Sequence, residues 1–201
     1  MTKIKLCGLS RPCDIMAANG LQPDFIGIVF ARGSKRYVSE ETAAALKAQL
    51  LPEIRVVGVF VREPPESVAA LLNRGVIDIA QLHGGESEAY IAQLRALTDK
   101  PIIKAFRIDT AADVEAANAS SADFVLLDSG NGGTGTVFDW ELLSGIRRPY
   151  FLAGGLHPGN AEAAVRALKP YAVDVSSGIE TDGLKDKEKM AAFAAAVKRG
   201  C

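Results

Sequence analysis

The chain has 201 residues, of which 48% are hydrophobic and 23% charged, and this composition is that of an ordinary folded protein rather than a disordered one. Its 23 Lys and Arg residues almost balance 24 Asp and Glu residues, so the strongly basic surface that nucleic acid requires is not expected. Three Cys and two well-separated His give neither a disulfide framework nor a recognisable metal cluster, so no metal site is expected.

No segment resembles an export signal or a membrane span. The residues from Met1 to Gly8 contain no long apolar core, and no run approaches the roughly 18 apolar residues that a membrane span needs. The sequence therefore predicts a cytoplasmic protein with no membrane partner.

Short apolar or β-branched runs recur along the chain, each followed by a polar, glycine-containing loop and then by a helix-forming stretch. The eight predicted strands are Ile4–Cys7, Phe25–Val29, Arg55–Phe60, Ile77–Gln81, Ile102–Phe106, Phe124–Asp128, Tyr150–Ala153 and Ala172–Val175. The clearest predicted helices are Glu40–Leu50, Glu66–Arg74, Glu86–Leu97 and Glu188–Lys198. Helix-start signals stand at Ser39 and at Asp139.

The predicted strands are apolar on both faces, which suits a parallel sheet covered by helices. Eight strand–helix units in 201 residues leave about 25 residues for each, and this favours a single-domain (β/α)8 TIM barrel of near-minimal length over residues 1–201. The alternative is an open, doubly wound sheet. Such sheets usually have five or six strands and often a glycine-rich fingerprint after the first, where this chain has Cys7-Gly8-Leu9-Ser10.

In a barrel of this kind, the functional residues lie at the carboxyl ends of the strands and in the loops that follow. The seventh strand is followed by Gly154 and Gly155, and the eighth by Ser176, Ser177 and Gly178. Paired glycines can simply make tight turns. Two small-residue loops after consecutive final strands nonetheless predict that backbone amides there bind the phosphate of a small molecule.

Two candidate proton-transfer groups stand at other strand ends. Cys7 closes the first strand, and as a thiolate it could be a base if cations are near; the alternative is an inert core thiol. Asp128 closes the sixth strand, where burial would raise its pKa and keep it protonated as a general acid. A helix-capping role for Asp128 is disfavoured because the next predicted helix begins only near Asp139.

The second strand is followed by three cationic residues, Arg32, Lys35 and Arg36. They are either ordinary solvated loop residues or a binding site for a carboxylate group of the ligand. A guanidinium group binds a carboxylate through two parallel hydrogen bonds. Three further polar residues at this face are candidate substrate-binding residues: Gln81, His83 and Asp174. The alternative for His83 is an ordinary loop residue, and Asp174 could instead orient a neighbouring side chain or a loop. The segment Gly132-Gly133-Thr134-Gly135 suggests a loop over a ligand, and it lacks the Lys of a nucleotide-binding P-loop.

Eight local segments carry a recognisable pattern, in order from the first strand to the last: Lys5-Leu6-Cys7-Gly8-Leu9, Ser34-Lys35-Arg36-Tyr37-Val38-Ser39, Val57-Gly58-Val59-Phe60-Val61, Gln81-Leu82-His83-Gly84, Leu126-Leu127-Asp128-Ser129, Gly132-Gly133-Thr134-Gly135, Ala153-Gly154-Gly155-Leu156 and Val173-Asp174-Val175-Ser176-Ser177-Gly178-Ile179-Glu180. Together they resemble the phosphoribosylanthranilate isomerase family of tryptophan biosynthesis. The resemblance covers essentially the whole chain.

The resemblance implies a (β/α)8 barrel that catalyses an Amadori rearrangement, converting an N-linked aminoaldose into an aminoketose without a metal or organic cofactor. By its position in the matching motif, Cys7 corresponds to the general base of the family, and Asp128 corresponds to its general acid. Arg36 resembles the residue that meets the anthranilate carboxylate. The loops at Gly154-Gly155 and Ser176-Ser177-Gly178 resemble the phosphate site.

Two alternatives stay open at the level of sequence. The related phosphosugar isomerase of histidine biosynthesis catalyses the same rearrangement on a similar barrel. That enzyme has an aspartate at the end of both catalytic strands, whereas this chain has Cys7 at the end of the first, so Cys7 disfavours this alternative. A non-catalytic barrel that binds a phosphorylated ligand would not need an acid and a base on separate strands. The sequence does not predict the oligomeric state.

Overall fold

A computed structural model of the chain describes residues 1–128 and 141–201. Its strands are β1 (Lys3–Cys7), β2 (Phe25–Val29), β3 (Arg55–Phe60), β4 (Ile79–Leu82), β5 (Ile102–Arg107), β6 (Phe124–Asp128), β7 (Tyr150–Ala153), β8 (Ala172–Val175), β9 (Glu180–Thr181) and β10 (Leu184–Lys185). Its α-helices are α1 (Pro12–Leu21), α2 (Glu40–Lys47), α3 (Pro65–Asn73), α4 (Glu88–Arg95), α5 (Ala111–Ala119), α6 (Ala161–Leu168) and α7 (Lys187–Gly200). Single turns of 3-10 helix cover Leu142–Gly145 and Ser177–Ile179.

Strands β1 to β8 are all parallel and pair in chain order, and β8 returns to pair with β1. The predicted (β/α)8 barrel is therefore confirmed. Strands β9 and β10 form a separate two-stranded hairpin before α7. That one domain extends over the whole of 1–201 stays a prediction, and the helix start expected at Asp139 lies outside the described residues.

Several predicted boundaries are wrong by a few residues; the helix predicted over Glu40–Leu50, for example, ends at Lys47. Two of the wrong starts have a clear physical reason. The fourth strand begins at Ile79 rather than Ile77, because the carboxylate of Asp78 turns aside to accept the main-chain N–H of Val56 at 2.8 Å. The fourth helix begins at Glu88 rather than Glu86, because Ser87 caps it and the Glu86 carboxylate accepts the N–H of Gly84 instead. In both cases a side chain takes a backbone donor that the periodic pattern does not reveal.

The protein has two hydrophobic cores: one lies between the barrel strands and the surrounding helices, and the other fills the interior of the barrel. The inner core is closed at the amino-terminal end by tilted and stacked rings of Phe124, Phe151 and Tyr171. Nearer the carboxyl ends, Cys7 packs with Val29 and Val59. The aromatic plug therefore closes one end of the barrel and leaves the other end for polar groups.

Three aspartates have the same structural role at the amino-terminal end of the barrel. Each directly precedes an even-numbered strand and accepts the main-chain N–H of a residue at the start of the preceding odd-numbered strand. The N···O distances are 2.9 Å from Ile4 to Asp24, 2.8 Å from Val56 to Asp78 and 2.7 Å from Ile102 to Asp123. These hydrogen bonds satisfy backbone N–H groups that are not paired between the strands. The amino-terminal end of the barrel therefore contributes to the stability of the fold.

Candidate active site

A cavity of about 380 Å³ opens at the carboxyl ends of the barrel strands. Ten of the residues that the sequence singled out line it: Cys7, Arg36, Gln81, His83, Asp128, Gly154, Gly155, Asp174, Ser176 and Ser177. Gly178 does not line the cavity, and neither do Arg32 and Lys35, which are exposed. The segment from Gly132 to Gly135 lies outside the described residues.

Cys7 and Asp128 occupy separate walls of this cavity, at the ends of β1 and β6. The Cys7 side chain is almost completely buried, whereas that of Asp128 is 29% exposed, more open than the sequence expectation of a buried acid. Gly27 faces Cys7 in the β1–β2 register, and a Cβ atom at Gly27 would lie 2.6 Å from the Cys7 sulfur. The glycine therefore makes the space that the thiol occupies.

A buried ion pair lies beside Cys7 in the barrel interior. Lys5 is fully buried and sits opposite Asp174 in the β1–β8 register, with its Nζ atom 2.8 Å from Asp174 Oδ1. Sequence reasoning missed Lys5, although alternation along β1 places it on the same face as Cys7. That alternation was the signal that could have found it.

The electrostatics of Cys7 are a balance of opposing effects. Burial is the largest and raises the pKa of the thiol; the charge of Lys5 lowers it, Asp174 raises it, and Lys185 lowers it. The net result is a pKa above the ordinary 9.0, so the resting group is a thiol. For Lys5, burial favours the neutral amine, but the charges of Asp174 and of the Cys7 thiolate outweigh it and raise the pKa above 10.5.

Gln81, His83 and Asp128 form a chain of polar contacts along one wall. Gln81 Nε2 lies 3.0 Å from His83 Nδ1, and His83 Nε2 lies 3.6 Å from Asp128 Oδ2. The remaining amide oxygen of Gln81 is buried and has no hydrogen-bond partner among residues 1–128 and 141–201. His83 therefore lies between a buried amide and the candidate acid, where it can orient both.

Arg36 is held by a carboxylate that the sequence did not single out. Its Nε and Nη2 atoms donate to the two oxygens of Glu180 at 2.6 and 2.7 Å. Lys185 Nζ also donates to Glu180, at 2.5 Å, and to the carbonyl oxygen of Ser176 at 2.9 Å. One chain of ionic contacts thus connects the loop after β2 with the loop after β8.

The two small-residue loops approach each other closely. Gly154 and Gly155 both have positive φ, which glycine adopts without steric cost. A Cβ atom at Gly178 would lie 2.0 Å from the carbonyl oxygen of Leu156, so only glycine lets the two loops come this near. The backbone of both loops therefore borders one end of the cavity.

Within residues 1–128 and 141–201, no group of three or more His, Cys, Asp or Glu side chains is placed to hold a metal ion. No helix in the same described ranges has the length and apolar character to cross a membrane.

The fold and the cavity at its carboxyl-terminal face define the chain as a (β/α)8-barrel enzyme. The sequence model of the family described as N-(5'phosphoribosyl)anthranilate (PRA) isomerase matches residues 4–196. The chain therefore belongs to the N-(5'-phosphoribosyl)anthranilate isomerase family of tryptophan biosynthesis, and it is an isomerase. The resemblance drawn from the motifs is confirmed.

Individual relatives agree with this assignment over nearly their full length. The isomerase of Endomicrobium trichonymphae is 44% identical over 194 residues, which cover 94% of this chain and 95% of that protein. The crystal structure of the Thermotoga maritima phosphoribosyl anthranilate isomerase is 34% identical, covers 98% of this chain and 99% of its own, and superposes with a TM-score of 0.89. A crystal structure of the isomerase in complex with reduced 1-(o-carboxyphenylamino)-1-deoxyribulose 5-phosphate is 33% identical, with coverage of 98% and 99% and a TM-score of 0.86.

Proposed function

We propose that this chain converts N-(5'-phosphoribosyl)anthranilate into 1-(2-carboxyphenylamino)-1-deoxyribulose 5-phosphate by an Amadori rearrangement in which its own side chains move the protons. The observation that carries the proposal is that Cys7 and Asp128 line one cavity from different strands. An acid and a base in this arrangement can act on two sides of one substrate. The proposal keeps the cytoplasmic location and the absence of a cofactor that the sequence predicts.

The chemistry needs one proton donor and one proton acceptor. Asp128 protonates the ring oxygen of the furanose, and the C1'–O bond breaks to leave a protonated Schiff base. Cys7, as the thiolate, then takes the proton from C2' and leaves an enolamine. The enolamine becomes the aminoketone when the 2' hydroxyl loses a proton and C1' gains one. No atom is gained or lost, as an isomerisation requires.

The remaining cavity residues bind the two anionic ends of the substrate. The loops at Gly154-Gly155 and Ser176-Ser177-Gly178 take the phosphate through backbone amides and hydroxyl groups. Arg36 takes the anthranilate carboxylate, since Glu180 uses only two of the five N–H donors of its guanidinium group. His83, hydrogen-bonded to Gln81, lies 3.6 Å from the Asp128 carboxyl group, close enough to influence its orientation.

The test is an assay of the purified protein with freshly generated N-(5'-phosphoribosyl)anthranilate, in which loss of the substrate fluorescence is followed. We expect turnover that is unchanged by a chelator. Loss of activity with chelator would overturn the cofactor-free mechanism, and failure to consume this substrate would overturn the assigned activity. A parallel assay with the aminoaldose substrate of histidine biosynthesis tests the nearest alternative, and we expect slower turnover of it.

The residue roles are tested by Cys7→Ala and Asp128→Asn. Each variant should lower kcat by at least roughly a hundredfold, because each removes one proton-transfer group. Cys13→Ala is the matched control, since Cys13 is exposed and should be dispensable. Circular dichroism should show that all three variants are folded. Near-normal turnover by Cys7→Ala or Asp128→Asn would show that the role assigned to that residue is wrong.

A further inference from the structure

Lys5 is a fully buried cation whose position the proposed proton transfers do not yet explain. Removing an ammonium group from water costs several kcal/mol even after relaxation, and an ion pair recovers this only with good geometry. Apolar residues of similar size commonly fill such a position equally well or better. The pair with Asp174, at 2.8 Å, is therefore weak evidence for a purely stabilising role.

The location of the pair connects it to the base. Residues two apart on a strand face the same side, so Lys5 lies one layer below Cys7 inside the barrel. Asp174 reaches the same place from β8 and lines the cavity together with Cys7. The pair thus lies between the apolar inner core and the reacting end of the barrel.

Charged groups approach Cys7 from several elements. They are Lys5 on β1, Arg36 after β2, Asp174 on β8 and Lys185 on β10, with His83 after β4 and Asp128 on β6 across the cavity. Arg36 and Lys185 share the carboxylate of Glu180, which offsets part of their charge. Lys5 is the cation with the largest effect on the thiol, and it has no contact with solvent that would screen it.

We propose that Lys5 is a positioning residue for the base, whose buried ammonium group stabilises the Cys7 sulfur as a thiolate, and that Asp174 fixes this ammonium and moderates its effect. The proposal rests on the role of Cys7 as the base. It gives the two members of one ion pair opposite effects on the thiol: Lys5 favours the thiolate, and Asp174 favours the thiol. If the ion pair only supported the fold, removing Lys5 or removing Asp174 would disturb the same packing. The two changes would then not shift the ionisation of the Cys7 thiol in opposite directions.

The experiment measures the ionisation of Cys7 without using turnover. The exposed cysteines are removed in a Cys13→Ser, Cys201→Ser background, and the rate of alkylation of Cys7 by iodoacetamide is followed by mass spectrometry across pH. Lys5→Met should move the midpoint of the rate profile up by about one pH unit or more, which is about a tenfold loss of thiolate below the midpoint. Asp174→Asn should move the midpoint down.

Lys5→Arg is the conservative control, since it keeps the charge and should stay close to the parent midpoint. If Lys5→Met does not fold, the downward shift in Asp174→Asn and the unchanged midpoint in Lys5→Arg still test the proposal. Shifts of Lys5→Met and Asp174→Asn in the same direction, or no shift in either, would overturn it.

Activity then separates this proposal from the one on which it rests. The acid limb of the pH profile of kcat/KM should follow the alkylation midpoint in each variant, as expected when the thiolate is the base. If the midpoints shift in opposite directions while Cys7→Ala stays active, the pair controls the thiol but Cys7 is not the base. If Cys7→Ala is inactive and the midpoints do not move, the base stands and the role of Lys5 fails.

Discussion

Arg36 and Glu180 are joined by two parallel hydrogen bonds, with Nε 2.6 Å from Oε1 and Nη2 2.7 Å from Oε2. The Glu180 side chain is only 9% exposed, and Lys185 donates to the same carboxylate. This arrangement fixes the plane of the guanidinium group before a ligand arrives. It therefore reduces the side-chain entropy that a substrate carboxylate would have to overcome on binding.

The first prediction concerns Arg36→Met, which removes the charge and keeps much of the apolar stem. Loss of a hydrogen-bonded charge contact costs about 1.5 to 3 kcal/mol, so KM should rise about tenfold to a hundredfold. The value of kcat should change much less, because Arg36 is not a proton-transfer group in the proposed mechanism. Steady-state kinetics checks this, and an unchanged KM with a lowered kcat would contradict the carboxylate assignment.

Glu180→Gln should also raise KM, but by less than Arg36→Met, because it releases the guanidinium group without removing it. The double variant should show less than the sum of the two single effects, since both act through one contact. A control exists in the exposed pair of Arg147 and Glu115, which is also joined by two hydrogen bonds, here from Nη1 and Nη2, and does not line the cavity. Glu115→Gln should leave KM unchanged, and an additive double variant would argue against coupling through Arg36.

The stability that Glu180 contributes should depend on pH with a definite sign. Burial favours the neutral acid, but the hydrogen bonds and charges of Arg36 and Lys185 outweigh it and hold the pKa of Glu180 below its ordinary 4.5. A lowered folded-state pKa gives stability that is present above 4.5 and is lost as pH falls through the folded value. Urea unfolding should thus show a larger difference between the parent and Glu180→Gln at pH 7 than at about pH 3. A difference that grows on acidification would refute this.

Gly178→Ala should weaken substrate binding by forcing the loops after β7 and β8 apart. The added Cβ would meet the carbonyl oxygen of Leu156 at 2.0 Å, which is a backbone atom and cannot move aside alone. We expect KM to rise about tenfold and stability to fall by about 1 to 3 kcal/mol. Gly20→Ala is the control, because its Cβ would lie in open space on α1 and should leave KM unchanged. Equal KM values for the two variants would remove Gly178 from the phosphate site.

At the other end of the barrel, Asp78→Ala should lower stability without changing kinetics. It leaves the N–H of Val56 without its acceptor and removes the contact with Lys47, at a cost of about 1 to 2 kcal/mol. Asp78→Asn keeps an acceptor oxygen and should lose less. Urea unfolding and steady-state assays of both variants check this, and a changed KM would show that the two ends of the barrel are not independent.

The sequence by itself determined the repeating architecture and the face of the barrel on which the cavity opens. Apolar runs such as Val56-Val57-Gly58-Val59-Phe60 carry their own periodicity, and eight of them in a chain of this length leave little besides a closed barrel. A residue at the carboxyl end of such a run, like Cys7 or Asp128, is then assigned to the cavity by position alone. These are local properties, so they can be read without knowing which strands become neighbours.

Only the tertiary structure decided which partners those residues have. Lys5 and Asp174 are 169 positions apart, and Arg36 and Glu180 are 144 apart, and they meet because β8 closes against β1 in one particular register. Local pattern indicates that a side chain faces inward, but its charge partner depends on ring closure, strand register and the close approach of two loops. The candidate base and the candidate acid were therefore accessible from the sequence, whereas the pairing of Lys5 with Asp174 and of Arg36 with Glu180 was not.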